Sequence, residues 1–393
     1  MSYINVTTQS QLGQYCERLA RCEWIALDTE FVSEQTYRPV LCLIQVAAQD
    51  ELALIDAMAI DDVTPFWRVI AEPGHSTIVH AGRGEFEFCL RAVGQRPAGL
   101  IDVQIAAGLV GIEYPAGFRT LLYKVLGKTS GSEETRTNWR RRPLSDRQIQ
   151  YALDDVRYLS AIYDTLHSRL NKLGRLGWLE EEMASWQDEA QWTLTQERWR
   201  RVSGNSALDW KSLAIVRELW RWRESEAQRR DCPPRRVLRD DLIIELAKRK
   251  TAELKRIRAV RGMERGDLNR LLPEIAECIR LATALPEPQR PAKSFHPGAP
   301  RLSVLGQFLC SALGSICRRA DLAPGLVGTA NDVRELIAYR AGETASDPPP
   351  RLAQGWRAEV VGHLFDDLLA GKKSVRVGDP ASEYPLVFED THP

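Results

Sequence analysis

Two carboxylates stand two residues apart at the end of a short apolar stretch near the amino terminus. The stretch 24–27 predicts a buried strand, and Asp28 and Glu30 follow it directly. Residues two apart on a strand project from the same face, so the two carboxylates repel each other and are costly to bury. A hard divalent cation, which prefers oxygen ligands, would offset that cost. The pair therefore indicates a metal site, and the alternative is an ordinary strand end with two solvated acids.

A third acid stands at the start of a predicted helix. Residues 77–80 predict another buried strand, and Glu85 follows in the first turn of a helix. An acid at that position interacts favourably with the positive end of the helix, and it can also point back toward Asp28 and Glu30. Either role fits the sequence. His80, at the end of the strand, is predicted to be structural.

A tyrosine and a fourth carboxylate share one face of a later helix. Ser145 is predicted to cap the start of this helix. Tyr151 and Asp155 are four residues apart, which places them one turn apart on the same face. Asp154 points about 100° away from that face. Four carboxylates and a tyrosine, distributed over a strand and two helices in this order, form a more specific pattern than any one of these motifs alone.

Strands and helices alternate through the residues that must position these side chains. A helical pattern within residues 1–23 leads into neighbouring strands at 24–48 and a third strand at 51–56. A helix at 63–71 then precedes the strand and helix that carry His80 and Glu85. Strands followed by alternation with helices predict an α/β domain whose helices pack on a mixed sheet.

Length and composition indicate a multidomain globular protein. At 393 residues the chain is too long for one ordinary core and predicts two or three domains. A hydrophobic content of 44% and a charged content of 27% are typical of a soluble protein, and the longest nearly apolar run, 40–48, is far short of a membrane span. Eight scattered cysteines without a C-x-x-C pair predict reduced thiols in a cytoplasmic protein rather than a zinc site. The sequence has no Walker A, G-x-G-x-x-G or H-E-x-x-H motif, so nucleotide-driven, dinucleotide-binding and zinc-protease functions lack support.

Charge is distributed unevenly along the chain although the net charge is zero. Residues 1–110 carry 7 Lys and Arg against 14 Asp and Glu, whereas residues 197–270 carry 21 against 12. An acidic front that suits cations and a basic middle indicate a chain that binds a polyanion. The alternative is that the basic helices are merely solvated.

The rest of the chain is predicted to be helical and to divide at a proline-rich linker. Tryptophans between residues 165 and 205 are predicted to pack in cores or between domains rather than to stack on bases. The predicted divisions are a first domain over 1–175, a helical connector over 176–206, a basic helical domain over 207–285, a linker over 286–300, a second helical domain over 301–376 and a loosely ordered tail over 377–393.

The segments that carry the acids and the tyrosine resemble the ribonuclease D family, in the tyrosine-bearing branch of the DEDD exonuclease superfamily. The similar stretches, which extend over residues 1–190, are IALDTEF followed by YRPVLCLIQVA, VHAGRGEFEF, LIDVQIAAGLVG, TRTNWRRRPLSDRQIQYALDDVRYL and GWLEEEM. Further along, LWRWRESEAQRRDCPPRRVLRDDLIIELAK resembles an HRDC domain, a small helical module that binds nucleic acid. The resemblance implies an α/β exonuclease domain with a ribonuclease H-like mixed sheet and flanking helices, followed by two small all-α HRDC-like domains.

The resemblance also implies roles for the residues of the predicted site. Asp28, Glu30, Glu85 and Asp155 would hold two divalent cations, Mg²⁺ or Mn²⁺. Tyr151 would position, or help to deprotonate, the attacking water. The family has Asp where this chain has Glu85, whose side chain reaches about 1.5 Å further. In a site with two cations that difference can weaken or displace the second one.

A function and two alternatives follow from the resemblance. It implies a cytoplasmic, metal-dependent 3′–5′ exoribonuclease that trims the 3′ ends of structured RNA, above all tRNA precursors, and releases nucleoside 5′-monophosphates. RNA is the implied partner, no membrane is involved and a monomer is favoured. One alternative is a catalytically weakened or inactive RNA-binding protein of the same fold, because of Glu85. The other is a DNA 3′–5′ exonuclease.

Arginines before the helix of Tyr151 and within the basic domain are candidate phosphate contacts. Such charge runs are equally typical of solvated surfaces. The candidate nucleic-acid-binding residues are Arg136, Arg140, Arg141, Arg142, Arg229, Arg230, Arg235 and Arg236.

Overall fold

A mixed sheet forms the centre of the amino-terminal region in the computed structural model, which describes residues 2–49, 51–129, 131, 137–205, 207–286, 291, 304–342, 348–382 and 384–391. Its six strands are β1 Ile4–Val6, β2 Trp24–Val32, β3 Val40–Ala48, β4 Glu51–Ile55, β5 Ser76–Val79 and β6 Leu100–Asp102. The order across the sheet is β1-β4-β3-β2-β5-β6. β4 runs parallel to β1 and antiparallel to β3, whereas β5 runs parallel to both β2 and β6. The predicted mixed sheet is confirmed.

The helices of this region begin where the sequence supplies caps. Thr8 and Ser145 each form a capping box with the glutamine three residues later, at the starts of α1 and α6. β2 lies inside the sheet, and its residues Ile25, Ala26 and Leu27 are fully buried, as expected for a strand covered on both faces. The helices are α1 Gln9–Leu19, α2 Thr64–Ala71, α3 Arg83–Val93, α4 Val103–Gly108, α5 Phe118–Leu126, α6 Asp146–Arg157, α7 Leu159–Lys172 and α8 Leu176–Thr195.

The basic middle of the chain forms a separate helical unit, made of Phe31–Leu41 and Thr195–Ala299. Its long helix α9 packs against α11 and α14 around an apolar core. The predicted basic helical domain is thus present. Its elements are a 3₁₀ turn at Trp199–Arg201, α9 Trp210–Arg229, α10 Pro234–Val237, α11 Asp240–Arg249, α12 Leu254–Arg258, α13 Gly266–Asn269 and α14 Leu272–Thr283.

The carboxyl-terminal region is helical up to residue 369 and then forms a β-hairpin. β7 Lys373–Val377 pairs antiparallel with β8 Leu386–Asp390. The prediction of a loosely ordered tail from 377 is therefore wrong for β8, and an all-α domain ending at 376 misses β7. The preceding elements are α15 Val304–Arg319, α16 Pro324–Val327, α17 Ala330–Arg340, a 3₁₀ turn at Arg351–Ala353, α18 Gly355–Arg357, a π turn at Ala358–Gly362 and α19 His363–Leu369.

The carboxyl-terminal helices belong to the same compact unit as the sheet. This unit comprises Met1–Glu30, Cys42–Leu194 and Pro300–Pro393. A buried ion cluster joins its parts, because Glu182 of α8 is only 3% exposed and accepts hydrogen bonds from Arg357 at 2.6 and 2.9 Å. Arg351 donates a further hydrogen bond to Glu182 at 2.8 Å.

Aromatic side chains pack beside this cluster. The rings of Trp178 and Trp356 stack with centroids 5.3 Å apart, and Trp186 meets Phe86 edge to face at 5.6 Å. These contacts fit the packing role that the sequence predicts for the tryptophans. Trp192 differs, because 62% of it is exposed on the last turns of α8. Across the described ranges no helix is both long and apolar enough to cross a membrane.

Candidate active site

Three of the predicted acids lie close together between β2 and α6. Asp28 and Glu30 project from β2, and Asp155 projects from α6. One carboxylate oxygen from each lies within 4.8 Å of the others. Asp28 and Glu30 are two residues apart on β2 and therefore lie on one face of the strand. The capping box at Ser145 fixes where α6 begins, and Asp155 on that helix lies close to both. The structure thus brings together three of the four predicted metal ligands.

Burial and mutual repulsion raise the pKa values of these carboxyl groups. Burial, followed by the charge of Asp155, raises the pKa of Asp28 to about 8. Burial, followed by the charge of Asp28, raises the pKa of Glu30 to about 9. Burial also raises the pKa of Asp155 to about 7, although a hydrogen bond from Tyr151 opposes this shift. Three carboxylates cannot all be anionic here at neutral pH without a compensating cation, so the donor set fits a hard divalent metal ion.

Tyr151 stands directly beside the acids. Its hydroxyl donates a hydrogen bond to Asp155, one helical turn further along α6. Burial is the main cause that raises the pKa of Tyr151 above its usual value, and the charge of Asp155 adds to it. The phenol is therefore neutral at physiological pH. A neutral phenol can orient a water molecule, whereas it is a poor general base.

Glu85 lies close to the acids but is held by a different partner. It is 5% exposed in the first turn of α3, and its Oε1 accepts a hydrogen bond from Thr29 Oγ1 at 2.5 Å. Burial, followed by the charge of Asp28, raises the pKa of Glu85 to about 8. Its oxygens are not part of the group of three that lies within 4.8 Å. The hydrogen bond from Thr29 therefore holds a carboxylate that lies outside this group of three.

A buried aspartate that the sequence motifs did not single out fixes the turn before Glu85. Asp102 is 3% exposed, and its carboxylate accepts hydrogen bonds from the amides of Ala81 at 3.0 Å and Gly82 at 3.1 Å. Gly82 is required by close packing, because a Cβ there would lie 2.3 Å from Val79 Cγ2. This turn sets where α3 begins and hence where Glu85 points. In the sequence, the one indication of a role for Asp102 is its position at the end of the stretch LID, directly before a helix.

Arg142 is a structural anchor and not an exposed phosphate contact. Its Nε and Nη2 donate to the two carboxylate oxygens of Asp56, each at 2.6 Å. The remaining donors reach the carbonyls of Cys42, Trp139 and Arg141. All five N–H groups of the guanidinium are thus engaged within the protein. The phosphate-contact prediction for Arg142 is wrong, and its role is to hold the segment that leads into α6.

Several arginines predicted to contact phosphates in the helical unit are paired with acids. Arg229 and Arg230 both form ion pairs with Glu226. Arg235 lies 3.5 Å from Asp240. Arg140, Arg141 and Arg236 are at least partly exposed, and Arg136 lies outside the described residues.

A cavity of about 650 Å³ opens beside the acids. His80, at its wall, contacts the carbonyl of Ala116 through Nε2 at 2.8 Å and meets Phe118 edge to face at 5.8 Å, which supports the predicted structural role. The cavity brings to the site residues that sequence reasoning missed, among them Arg119 and Arg147. Its lining residues are Asp28, His80, Gly117, Phe118, Arg119, Thr120, Gly131, Arg147, Gln150, Tyr151, Asp154, Asp155 and Leu159.

A mixed sheet with two acids on an inner strand, a third acid and a tyrosine on a facing helix, and a cavity beside them define the class of 3′–5′ exonucleases. Residues 3–171 match the family model described as 3′–5′ exonuclease, and residues 212–279 match the HRDC domain. The second match lies within the basic helical unit. The first covers every residue of the candidate site.

Similar proteins identify the family within that class. Ribonuclease D of Gluconacetobacter diazotrophicus is 34% identical over 371 residues, covering 93% of this chain and 92% of that protein. Ribonuclease D of Acidiphilium cryptum is also 34% identical, covering 91% of each. The crystal structure of Escherichia coli RNase D, described as an exoribonuclease involved in structured RNA processing, superposes with a TM-score of 0.81 at 27% identity and covers 94% of this chain and 99% of that one. The chain belongs to the ribonuclease D family and is a 3′–5′ exoribonuclease.

Proposed function

We propose that the chain removes nucleotides from the 3′ ends of structured RNA, above all tRNA precursors, by hydrolysis with two divalent cations, Mg²⁺ or Mn²⁺. Asp28, Glu30, Glu85 and Asp155 hold the cations, and Tyr151 orients the attacking water. The observation that carries this assignment is the group of Asp28, Glu30 and Asp155 oxygens within 4.8 Å of one another.

Each residue of the site has a separate task in this proposal. Asp28 comes from β2 and Asp155 from α6, and their carboxylates would hold a cation between these two elements. The neutral hydroxyl of Tyr151 keeps its proton and fixes the position of the water relative to Asp155. Two cations, when bound, lower the pKa of the water and neutralise the charge that develops on the leaving 3′ oxygen. The reaction releases a nucleoside 5′-monophosphate and a chain that is one nucleotide shorter.

The substrate class and the compartment have their own support. The E. coli relative is described as acting in structured RNA processing, and the HRDC match covers residues 212–279, where the chain is most basic. Arg140, Arg141 and Arg236 are the proposed phosphate contacts outside the cavity. The eight cysteines are free thiols, which is typical of a cytoplasmic protein.

The proposal is tested by following the degradation of a 3′-extended tRNA with time in Mg²⁺, in Mn²⁺ and in EDTA. We expect stepwise shortening from the 3′ end that stops in EDTA. A 2′-deoxy version of the 3′ end should compete poorly, because a ribonuclease uses the 2′-hydroxyl. Calorimetric titration should find two cation sites. Shortening that persists in EDTA, or equal use of the deoxy end, contradicts the proposal.

Replacing Glu85 by Asp is expected to raise kcat about three- to tenfold. A rate increase of this size corresponds to about the free energy of one hydrogen bond. The shorter side chain loses the contact with Thr29 and restores the ligand length of the family, so the second cation binds more tightly. Steady-state rates and calorimetric titration measure both effects. Glu87→Asp is the matched control, because Glu87 lies on the same helix and pairs with Arg91. An unchanged or lower kcat for Glu85→Asp would show that Glu85 already serves fully.

A further inference from the structure

The start of α5 forms one wall of the active-site cavity. Gly117, Phe118 and Thr120 lie in this wall. Among the described residues that line the cavity, none belongs to the carboxyl-terminal region 304–391. That region nevertheless packs against α4 and against the loop at 109–117, which leads from α4 into α5. An effect of the carboxyl-terminal region on the cavity must therefore pass through this loop.

Hydrogen bonds fix α16 of the carboxyl-terminal region at both of its ends. At the start, the amide of Ala323 donates to the carbonyl of Gly108 in α4 at 2.9 Å. At the end, buried Arg357 donates from Nη2 to the carbonyl of Leu326 at 2.8 Å and from Nε to that of Val327 at 2.9 Å. The last carbonyls of a helix have no partners within it, so Arg357 supplies what α16 lacks. These contacts give α16 a defined position beside α4.

Arg175 connects the beginning of the loop to the turn before α16. It is 9% exposed, and its Nη1 donates to the carbonyls of Leu109 at 2.8 Å and Asp321 at 2.9 Å. Gly111 has a φ of 84°, and a Cβ there would lie 3.2 Å from the backbone of Asp321. One guanidinium thus holds both backbone segments, and a glycine lets them lie close together.

Gly325 of α16 makes the closest approach to the loop. A Cβ at this position would lie 2.4 Å from the carbonyl oxygen of Tyr114. Atoms do not pack at that distance in a protein interior, so an alanine would push the two segments apart by about half an ångström or more. Tyr114 precedes Gly117 by three residues, so a displacement of its carbonyl moves the cavity wall.

The other end of the loop is held by side chains of the sheet and of α4. Ala116 is 1% exposed, and its carbonyl accepts hydrogen bonds from His80 Nε2 and Gln104 Nε2, each at 2.8 Å. A carbonyl oxygen has two lone pairs, so its capacity as an acceptor is filled. Gln104 does not line the cavity. Gln104 and Gly325 therefore both contact the loop without contacting the cavity.

We propose that Gly325 and Gln104 are positioning residues that set the place of the cavity wall through the loop at 109–117. This inference rests on the proposed function, in which the cavity holds the 3′-terminal nucleotide. The carboxylates that would hold cations come from β2 and α6, so moving the loop changes the binding of the nucleotide and not that of the cations. Contacts that are equal in substrate and transition state change KM and leave kcat as it is.

Steady-state kinetics on a substrate with one nucleotide test this inference. The p-nitrophenyl ester of uridine 5′-monophosphate has no further nucleotides that could bind elsewhere on the chain. Gly325→Ala should raise KM about 5- to 20-fold and keep kcat within about twofold, because a displaced wall fits the nucleotide poorly. Gln104→Met, which keeps the length and removes the donor, should raise KM about three- to tenfold. Calorimetric titration with Mg²⁺ should give wild-type cation affinity for both variants.

A double variant tests whether the two residues act through one loop. KM of Gly325→Ala, Gln104→Met should rise by less than the product of the two single effects, because residues that share a structural element are not additive. Gly314→Ala is the matched control. Gly314 lies on α15 of the same region, and a Cβ there would meet nothing within 4 Å, so KM should match that of the wild type. Independent effects that multiply fully would overturn the shared route.

Binding of uridine 5′-monophosphate separates a failure of this inference from a failure of the proposed function. Calorimetry measures its Kd without turnover, and Gly325→Ala should weaken binding even if wild-type hydrolysis survives EDTA, a result that would remove only the proposed cation site. A KM and a Kd within about twofold of wild type in folded Gly325→Ala overturn the inference, as does cation affinity that falls in parallel with KM. If thermal melting shows that Gly325→Ala has lost its fold, Gln104→Met decides by the same criteria.

Discussion

Replacing Asp155 by Asn is expected to lower kcat about 10³-fold or more, while RNA affinity changes by less than about threefold. The amide removes one of the carboxylates that would hold a cation, and a bound cation would contribute several kcal/mol of transition-state stabilisation. Affinity for RNA depends mainly on phosphate contacts elsewhere on the chain. Single-turnover degradation of a 3′-extended tRNA measures the first effect, and fluorescence anisotropy measures the second. Asp28→Asn should give the same result.

An exposed acid outside the site serves as the control. Asp164 is exposed on α7, and Asp164→Asn should keep wild-type kinetics. If Asp155→Asn turned over at the wild-type rate, the assignment of the metal site would be lost. If it lost RNA affinity in parallel with kcat, Asp155 would instead be needed for binding or for the fold.

Replacing Glu182 by Ala is expected to lower the free energy of unfolding by about 3–5 kcal/mol, since it leaves buried Arg357 without its counter-charge. Burial by itself raises the pKa of Glu182, but the hydrogen bonds and charge of Arg357 outweigh it and hold the pKa below its usual value. A carboxyl with a lowered pKa stabilises the fold above its unfolded pKa of about 4.3. The contribution of Glu182 to the free energy of unfolding is therefore complete at neutral pH. It is lost as the pH falls below about 4.3 and through the lower pKa of the folded state. Urea denaturation monitored by tryptophan fluorescence measures the change.

Two variants separate the ion pair from the helix that carries it. Glu180→Ala, exposed on the same helix, should change stability by less than about 0.5 kcal/mol. The double variant Glu182→Leu, Arg357→Met should regain much of the loss, because apolar replacement of a buried pair is often neutral. Equal destabilisation by Glu180→Ala would show that the loss of stability does not depend on the buried charge of Glu182.

The sequence was sufficient where the signal is local. Alternation along β2 placed Asp28 and Glu30 on one face, and the capping box at Ser145 set the phase of α6 and hence of Tyr151 and Asp155. The likeness to a known family connected these local signals into one site. Each depends on residues within a few positions of one another, which is the range over which strand and helix geometry fix direction.

The features that the sequence did not reveal depend on partners far apart along the chain. Arg142 reads as part of a basic run, and only its pairing with Asp56, 86 residues away, makes it an anchor. Arg119 lies in the first turn of α5, outside every motif that the sequence shows. Only the fold places it in the wall of the cavity that Asp155 also lines. Tertiary ion pairs have no periodicity, so a charge pattern alone cannot separate a buried anchor from a solvated surface.

The buried pair of Glu182 and Arg357 has a consequence for how the protein is made. The two residues are 175 positions apart. At typical synthesis rates of about 5–20 residues per second, Glu182 leaves the ribosome about 9–35 s before its partner. During that interval the nascent chain has an uncompensated acid where the finished protein has a core. The compact unit that contains the sheet therefore reaches its final packing only after nearly the whole chain has been translated.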